Sequence, residues 1–243
     1  MEEKYFNIRY EFDHATVHDR ISQQIDCREP SYICVADGVI LNEANRNPWY
    51  LDVINSGMFC ICDSSYVPLY IRWIHKKNRG QYAGYDIFRD IALSCKWRMA
   101  FIGASSEVLD ALKKKLCQTN PEVEGMLFME LPFMDVADFD YKAIADAINE
   151  DGADIIWVAL GAPKQEIFMH YLRPHISKGV MIAVGAVFKF YSGLEVKRAP
   201  RWMVHHHLEF LHRIYKEPNK QLRRCSDIVY HLPRLLWREW RAK

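Results

Sequence analysis

Short apolar runs recur along the chain, separated by longer segments that mix apolar and polar residues. Six of these runs are bounded by turn-forming residues and are predicted to be strands, at residues 31–36, 58–62, 98–102, 126–131, 155–160 and 179–184. Runs that are apolar throughout are typical of strands buried on both faces of a parallel sheet. The intervening segments carry apolar residues at helical spacing. This alternation predicts an α/β fold with a mostly parallel sheet.

The helical pattern is clear between most of these strands. A short strand near residues 5–10 and a helix near 14–24 are predicted ahead of the first run. Residues 39–54 read as helical, and Pro48 either interrupts this helix or starts a second one. Further helices are predicted at residues 66–77, 87–95, 108–116, 141–149 and 164–172.

The fifth strand leads into a turn that suits an anionic ligand. Gly161 and Pro163 end the strand, and Lys164 and Gln165 begin the next helix. Ligands of open α/β folds bind at the carboxyl ends of the strands. Backbone N–H groups, a helix N-terminus and a lysine together favour a phosphate there. An ordinary strand-to-helix turn with a solvated lysine is the alternative interpretation.

Two carboxylates follow the first two of the six strands. Asp37 comes directly after the first strand and Asp63 directly after the second. If these strands are parallel neighbours, both carboxylates face one crevice. Gly103 and Ala104 end the third strand in a turn of small residues, which is a second place where a phosphate could bind. The three-glycine dinucleotide fingerprint is absent, so this turn alone is weak support.

The charge is distributed unevenly. The 243 residues carry a net charge of +1, yet residues 195–243 contain twelve Lys/Arg and five Asp/Glu. This end also carries aromatic residues and is predicted to form an amphipathic helix at 208–215 and one or two basic helices over 222–236. A basic, aromatic-rich end indicates an anionic membrane surface or a phosphate-bearing partner. Nucleic acid is the competing partner, but no RNA- or DNA-binding motif supports it.

The cysteines and the termini indicate a cytosolic chain. Seven irregularly spaced cysteines do not form a disulfide framework, and we expect reduced thiols that lie mostly in the core. Residues 1–10 have no signal-peptide pattern, and no apolar run reaches 18 residues. The three histidines at 205–207 point in different directions on a helix or a strand, so they are poorly suited to one metal ion.

Several short motifs, in order and spacing, resemble the WecG/TagA/CpsF group, glycosyltransferase family 26, over roughly residues 30–225. The matching stretches are GAPKQE at 161–166, VGAVF at 184–188, KRAPRW at 197–202 and LEFLHR at 208–213, together with Glu217-Pro218 and Arg223-Arg224. Asp63 matches the family's aspartate after its second strand. Gly84-Tyr85-Asp86 resembles the family's Gly-Ser-Asp.

The resemblance implies a Rossmann-like, GT-E-like α/β domain over residues 1–194, with helices on both faces of the sheet, and a basic helical appendage over 195–243. It implies an inverting, metal-independent transferase with no cofactor. The donor would be a UDP-sugar carrying an N-acetylhexosamine or a related hexose. The acceptor would be a saccharide linked to polyprenyl diphosphate in bacterial cell-surface polysaccharide synthesis. The enzyme would be cytoplasmic, peripheral on the inner face of the membrane, and homo-oligomer formation stays open.

The resemblance also assigns roles to residues. Asp63 is expected to be the general base, with Asp37 as its competitor or as a partner sharing its proton, and Gln165 is expected to bind the donor sugar or its phosphates. The acceptor diphosphate is assigned to Arg213, Arg223 and Arg224, whose alternative is a solvated basic face. The expected donor-binding residues are Gly103, Ala104, Pro132, Phe133, Gly161, Pro163, Lys164, Gly185 and Lys189.

Some positions depart from the family pattern. Val35 and Asp37 stand where the family usually has Thr and Asn, Gln81 stands for an arginine, and Lys189 reverses the charge of an aspartate. Lys189 could instead pair with a donor phosphate or a carboxylated sugar. Two other functions therefore stay open. One is a non-catalytic subunit that binds a nucleotide sugar within a polysaccharide-assembly complex, and the other is a nucleotide-binding regulatory domain.

Overall fold

A computed structural model describes residues 3–194, 203, 211, 214–215 and 218–243. The strands of the described chain are β1 Glu3–Tyr5, β2 Ile8–Tyr10, β3 Ser31–Ala36, β4 Phe59–Cys62, β5 Met99–Gly103, β6 Leu127–Met129, β7 Ile155–Ala159 and β8 Val180–Ala183. They form one sheet in the order β1-β2-β4-β3-β8-β7-β5-β6. Only the β1–β2 pair is antiparallel among these strands. The predicted mostly parallel sheet is confirmed.

Helices cover both faces of this sheet. They are α1 His14–Cys27, α2 Gly38–Ala44, α3 Pro48–Asn55, α4 Val67–His75, α5 Gly84–Ala92, α6 Ser106–Leu116, α7 Tyr141–Asp151, α8 Lys164–Leu172, α9 Val187–Ser192 and α10 Pro218–Ala242. One apolar cluster packs α2, α3, α4, α7, α8 and α10 on one face. A second packs α1, α5, α6 and α9 on the other. The prediction of helices on both faces is confirmed.

The central strands are buried along their whole length. Every residue of β3, β4, β5, β7 and β8 is buried, which explains why their sequences are apolar without alternation. Trp157 of β7 illustrates this environment, since it has no exposed surface and its ring lies edge-on to Phe88 of α5 at 4.9 Å. Polar residues can therefore reach solvent only beyond the ends of these strands.

Local sequence signals explain where several elements begin and end. Pro48 does not interrupt a helix; it starts α3 at the first turn, and the Asn47 side chain caps that turn by accepting the N–H of Tyr50. The strand predicted at 126–131 is shorter, because only Leu127–Met129 pairs with β5. All seven cysteines are free, as expected, but only Cys34, Cys60 and Cys62 are buried, so the expectation that most lie in the core was wrong.

Residues 218–242 form one helix, α10, that packs on the sheet domain. The helix α10 runs without a break through Pro233, longer than the one or two helices predicted over 222–236. Leu235 inserts into the cluster shared with α2 and α4. Asn42 of α2 donates to the Asp227 carboxylate at 2.9 Å, and His75 of α4 lies 2.8 Å from the Glu239 carboxylate. The predicted division of the chain at residue 194 stays a prediction.

Gly103 sets the close approach of β5 and β7. It has a φ of 93°, and a Cβ atom at this position would lie 2.7 Å from the carbonyl oxygen of Ala159. We expect Gly103→Ala to lower the free energy of unfolding by about 2–4 kcal/mol, since it combines a left-handed backbone with a clash against a main-chain oxygen. Urea denaturation measures the loss. Gly125→Ala is the matched control, because nothing lies within 4 Å of its Cβ position; an equal loss in both variants would contradict the prediction.

Candidate active site

The two aspartates lie side by side at the carboxyl edge of the sheet. Strands β3 and β4 are parallel neighbours, with Ala36 paired to Cys62, so the residues that follow them emerge together. The N–H of Asp63 donates to the carbonyl of Ala36 at 3.0 Å, extending the pairing up to the aspartates. The expected adjacency of Asp37 and Asp63 is thus confirmed, while their chemical roles are separate questions.

Asp63 is held by the segment that opens α5. Its Oδ1 accepts the backbone N–H of Gly84 at 2.9 Å, and its backbone carbonyl accepts the Gln81 side-chain amide at 2.6 Å. Space at Gly84 is tight, because a Cβ atom would lie 3.0 Å from Cγ1 of Val35. One of the departures from the family pattern, Gln81, therefore contacts the aspartate directly, and another, Val35, lies against Gly84. The half-buried carboxylate of Asp63 lies in reach of a ligand at the crevice.

Asp37 has a structural function in this arrangement. Its Oδ1 accepts the N–H groups of Val39 and Ile40 at 2.9 and 3.0 Å, which caps the N-terminus of α2. An N-terminal cap contributes about 1 kcal/mol to helix stability. The carboxylate is therefore bound to the backbone of its own helix. Its candidate role as a second base stays a prediction.

Gln165 connects the turns that follow β7 and β8. The side chain is 4% exposed, and its Oε1 accepts the N–H groups of Gly161 at 3.1 Å and Gly185 at 3.0 Å. Both glycines have a positive φ, 78° and 55°, which turns their N–H groups toward this oxygen. Gln165 is thus more buried than expected for a residue that contacts the donor. The turns that it joins expose Pro163 and half-expose both glycines at the crevice.

Glu166 is a buried carboxyl group that the sequence alone did not single out. It has no exposed surface, and it accepts the side-chain amide of Gln165 at 2.8 Å and the hydroxyl of Tyr50 at 3.1 Å. Burial raises the pKa of Glu166 from 4.5 to about 7, and the negative charge of Asp37 adds to this shift. A glutamate directly after an exposed turn is normally interpreted as a solvated residue at a helix start. No sequence signal therefore distinguished a buried carboxyl from a solvated one at this position.

Lys164 points toward the loop that follows β6. Its ammonium group donates to the carbonyl of Met134 and lies 5.4 and 5.0 Å from the ring centres of Phe133 and Phe139. Phe133 is fully exposed, and Pro132 beside it is exposed as well. The loop thus offers a cation and a bare aromatic ring at the same side of the crevice. Both are features that can bind a nucleotide, by charge and by stacking.

The turn after β5 is less open than the sequence suggested. Gly103 and Ala104 both have a positive φ, as expected for a tight turn into α6. The carboxylate of Glu130, however, accepts both the N–H and the hydroxyl of Ser106 at the start of that helix. An acidic side chain already occupies the helix N-terminus, which opposes a phosphate at that point. Glu130 is the second site residue that the sequence alone did not single out.

The remaining predicted residues lie on α9 and α10 or outside the described residues. Lys189 is half-buried on α9, one turn beyond Gly185. Arg223 and Arg224 of α10 line a cavity of about 690 Å³ together with Arg46 and Val39 of the α2 region. Arg213 and the histidines at 205–207 lie outside the described residues. Within the described residues, no group of three His, Cys, Asp or Glu side chains is arranged to hold a metal ion.

Comparison with known proteins identifies the family of this chain. The model of the family described as "Glycosyl transferase WecG/TagA/CpsF family" matches residues 5–243. The chain belongs to this family of glycosyltransferases. The resemblance drawn from the short motifs is therefore confirmed, and it extends beyond the residues 30–225 that those motifs covered.

Two relatives carry a specific name. A protein of Bacillus spizizenii is 31% identical over 209 residues, covering 85% of this chain and 79% of its own length. A protein of Bacillus subtilis is 29% identical over 227 residues, covering 89% and 86%. Both are called N-acetylglucosaminyldiphosphoundecaprenol N-acetyl-beta-D-mannosaminyltransferase. The WecG/TagA/CpsF chain described here is similar to these transferases over nearly its whole length.

The buried carboxyl of Glu166 should leave a signature in stability. Between pH 4.5 and about 7 the unfolded chain carries this group ionised while the native protein keeps it protonated, so unfolding releases a proton. The contribution of Glu166 to the free energy of unfolding therefore falls as pH rises through that window, and it stays low at higher pH. We expect Glu166→Gln to gain ~3 kcal/mol relative to the native sequence across the window, measured by urea unfolding at several pH values.

The matched control for this experiment is Glu150→Gln, which changes an exposed glutamate on α7. Its stability should follow the native curve at every pH. Parallel curves for the native protein and Glu166→Gln would show that the buried carboxyl does not titrate in this range.

Proposed function

We propose that this glycosyltransferase moves an N-acetylhexosamine from a UDP-sugar to N-acetylglucosaminyl-diphosphate-polyprenol, with inversion at the anomeric carbon. The observation that carries the proposal is Asp63, a carboxylate fixed by the Gly84 N–H at the carboxyl edge of the sheet. The names of the two Bacillus relatives support the sugar and the lipid-linked acceptor. We place the reaction in bacterial cell-envelope polysaccharide synthesis.

Inversion needs one base and one direct displacement. In the proposed step the carboxylate of Asp63 takes the proton of the acceptor hydroxyl while that oxygen bonds to C1 of the donor sugar. The bond between C1 and the UDP oxygen breaks, and the UDP leaves with the electron pair. One carboxylate suffices because the leaving group is already a good one. Asp37, bound to the backbone of α2, is assigned the structural role of holding its turn.

The leaving diphosphate requires positive charge and N–H donors. Along the sheet edge, the turns at Gly161 and Gly185 lie between Asp63 and the loop after β6 that Lys164 contacts, since β8 and β7 separate β3 from β5. We assign the diphosphate to Lys164, whose ammonium would shift from the Met134 carbonyl, and to N–H groups of these turns other than those of Gly161 and Gly185, which donate to Gln165. The exposed ring of Phe133 is assigned to the uracil base, by stacking. This arrangement provides for the charge without a metal ion.

The acceptor diphosphate is assigned to the cavity between α2 and α10. Arg46, Arg223, Arg224 and Asp227 line it, and Arg46 pairs with the Asp227 carboxylate at 3.1 Å. The diphosphate is therefore assigned to Arg223 and Arg224, whose two guanidinium groups can bind it with paired hydrogen bonds. Val39 also lines the cavity, two residues after Asp37, so the cavity opens close to the catalytic edge. Arg213 lies outside the described residues, and its role at the acceptor diphosphate stays a prediction.

The outer face of α10 supports docking on a membrane. The face opposite the buried Leu235 is exposed and largely apolar, with Leu222, Val229, Tyr230, Trp237 and Trp240. Exposed arginines follow one side of this face, at Arg223, Arg234, Arg238 and Arg241. Leu69 and Trp73 of the neighbouring α4 are exposed as well. Tryptophan, tyrosine and arginine at one surface suit the headgroup region of an anionic bilayer.

We therefore propose peripheral attachment at the cytoplasmic face of the membrane, where the lipid-linked acceptor is held. In the described part of the chain no helix has the length and apolar character needed to cross a bilayer. Attachment is accordingly assigned to the α10 face.

Substitution of Asp63 tests the chemistry. We expect Asp63→Asn to lower transfer from UDP-N-acetylmannosamine to a lipid-diphosphate-N-acetylglucosamine acceptor by at least about a hundredfold, because the amide cannot take the proton. Product formation is followed by chromatography with and without EDTA, and EDTA should leave the native rate unchanged. Asparagine keeps the oxygen that accepts the Gly84 N–H, so the fold is preserved.

Asp37→Asn is the comparison variant for this assay. It keeps the cap of α2, and we expect it to retain most of the activity. Donor binding without transfer in the native protein, across a panel of UDP-sugars, would contradict the enzyme and favour a nucleotide-sugar-binding subunit.

Vesicle binding tests the docking surface. We expect the double variant Trp237→Ser and Trp240→Ser to lower binding to vesicles rich in phosphatidylglycerol at least about tenfold, since two interfacial rings are lost. Co-sedimentation measures the bound fraction. Trp49→Ser is the matched control, because Trp49 on α3 is 45% exposed, close to the 58% and 55% of Trp237 and Trp240. If all three tryptophans contribute equally, or none does, the α10 face is not the docking surface.

A further inference from the structure

The edge of the crevice is supported by a buried chain of three side chains. Tyr50 of α3 donates to one oxygen of Glu166, and the other oxygen accepts the side-chain amide of Gln165. The amide oxygen of Gln165 in turn accepts the N–H groups of Gly161 and Gly185. All the side chains of this chain are almost completely buried, at 1%, 0% and 4% exposure for Tyr50, Glu166 and Gln165. We call this set the Tyr50–Glu166–Gln165 brace.

The brace determines which way the Gln165 amide faces. If the amide were flipped, its NH₂ group would meet the two glycine N–H groups, and donors would face donors. Glu166 opposes this flip, because its Oε1 accepts a hydrogen bond from the Gln165 amide and only the NH₂ end of that amide can donate it. A buried amide that lost this acceptor would cost about 1–3 kcal/mol of unpaired polar surface. The position of both glycine turns thus depends on a residue that never reaches the ligand.

We propose that Glu166 is a positioning residue of the donor site, which acts through Gln165 to hold the Gly161 and Gly185 turns in the form that binds the donor diphosphate. This inference rests on the proposed function only in assigning a UDP-sugar to these turns. The alternative is that the brace merely adds stability to the contact of α8 with α3.

The ionisation of Glu166 separates these two roles. The groups that face it are Tyr50 from α3, Cys34 from β3 and Asp37 at the start of α2. None of these is a cation, so an ionised Glu166 places a negative charge beneath the two turns, stabilised by hydrogen bonds from Tyr50 and Gln165. A charge there opposes an anionic donor. Since burial raises the pKa of Glu166 to about 7, donor affinity should fall as pH rises through neutrality.

The experiment measures binding of UDP-N-acetylglucosamine by titration calorimetry from about pH 6 to about pH 9, where the diphosphate of this probe stays fully ionised. We expect the affinity of the native protein to fall about three- to tenfold over this range. Binding near neutral pH should also take up protons, seen as a dependence of the heat on the buffer's ionisation enthalpy. Glu166→Gln, which cannot ionise, should abolish both the fall and the proton uptake.

Two further variants test the assignment to Glu166 and control for general destabilisation. Tyr50→Phe removes a donor that lowers the pKa of Glu166, so the midpoint of the fall should move to higher pH. Leu116→Ala removes a buried side chain on the opposite face of the sheet and controls for general destabilisation; its pH profile should match the native one. A steady-state comparison should show a raised KM with kcat less affected in Glu166→Gln at pH below 7.

The outcomes are distinguishable. A native affinity that does not change with pH, or a Glu166→Gln profile that overlays the native profile, overturns the positioning role. Tight, pH-dependent donor binding without sugar transfer leaves that role intact and overturns the proposed function. A failure of the native protein to bind any UDP-sugar overturns both.

Discussion

The complete burial of five central parallel strands is the constraint on which the rest of the structure depends. With apolar side chains on both faces, these strands can place polar chemistry only where they end. All of them end at one edge, so Asp37, Asp63, Gly161 and Gly185 are gathered there although they are far apart in the sequence. The order of the strands then fixes their sequence along the edge. The aspartates of β3 and β4 lie at one side, and the glycine turns of β8 and β7 follow.

The same constraint explains why polar residues near this edge differ so much in environment. Asp63 lies beyond the last strand pair and keeps a half-exposed carboxylate, oriented by one backbone N–H. Glu166 lies in the first turn of α8, and its fully buried side chain contacts Tyr50 of α3. Two carboxyl groups of the same region thus acquire opposite properties. One is available to a substrate, and the other supports the turns from below.

The alternation of apolar runs and helical segments was enough to predict the sheet, its parallel pairing and most elements to within a few residues. It also placed Asp63 and Gln165 at the correct edge. It could not predict where side chains point after a turn, because period and propensity describe the backbone only. For this reason Gln165 proved to be buried, and Glu130 and Glu166 were overlooked. Their positions depend on tertiary packing against α6 and α3, which local sequence does not contain.

The C-terminal helix shows how the two proposed substrate sites can be coupled through packing. Ile228 of α10 lies so close to Gly38 that a Cβ there would be 3.0 Å from its Cδ1, and Gly38 directly follows Asp37. One turn earlier on the same helix, Arg223 and Arg224 line the cavity beside α2. A helix that is bound to a bilayer by its outer face would therefore press its inner face against the turn next to the catalytic edge. A side chain at position 38 would have to displace the end of the Ile228 side chain by a few tenths of an ångström. If α10 docks on a membrane as proposed, this packing sets the distance between the membrane surface and Asp63.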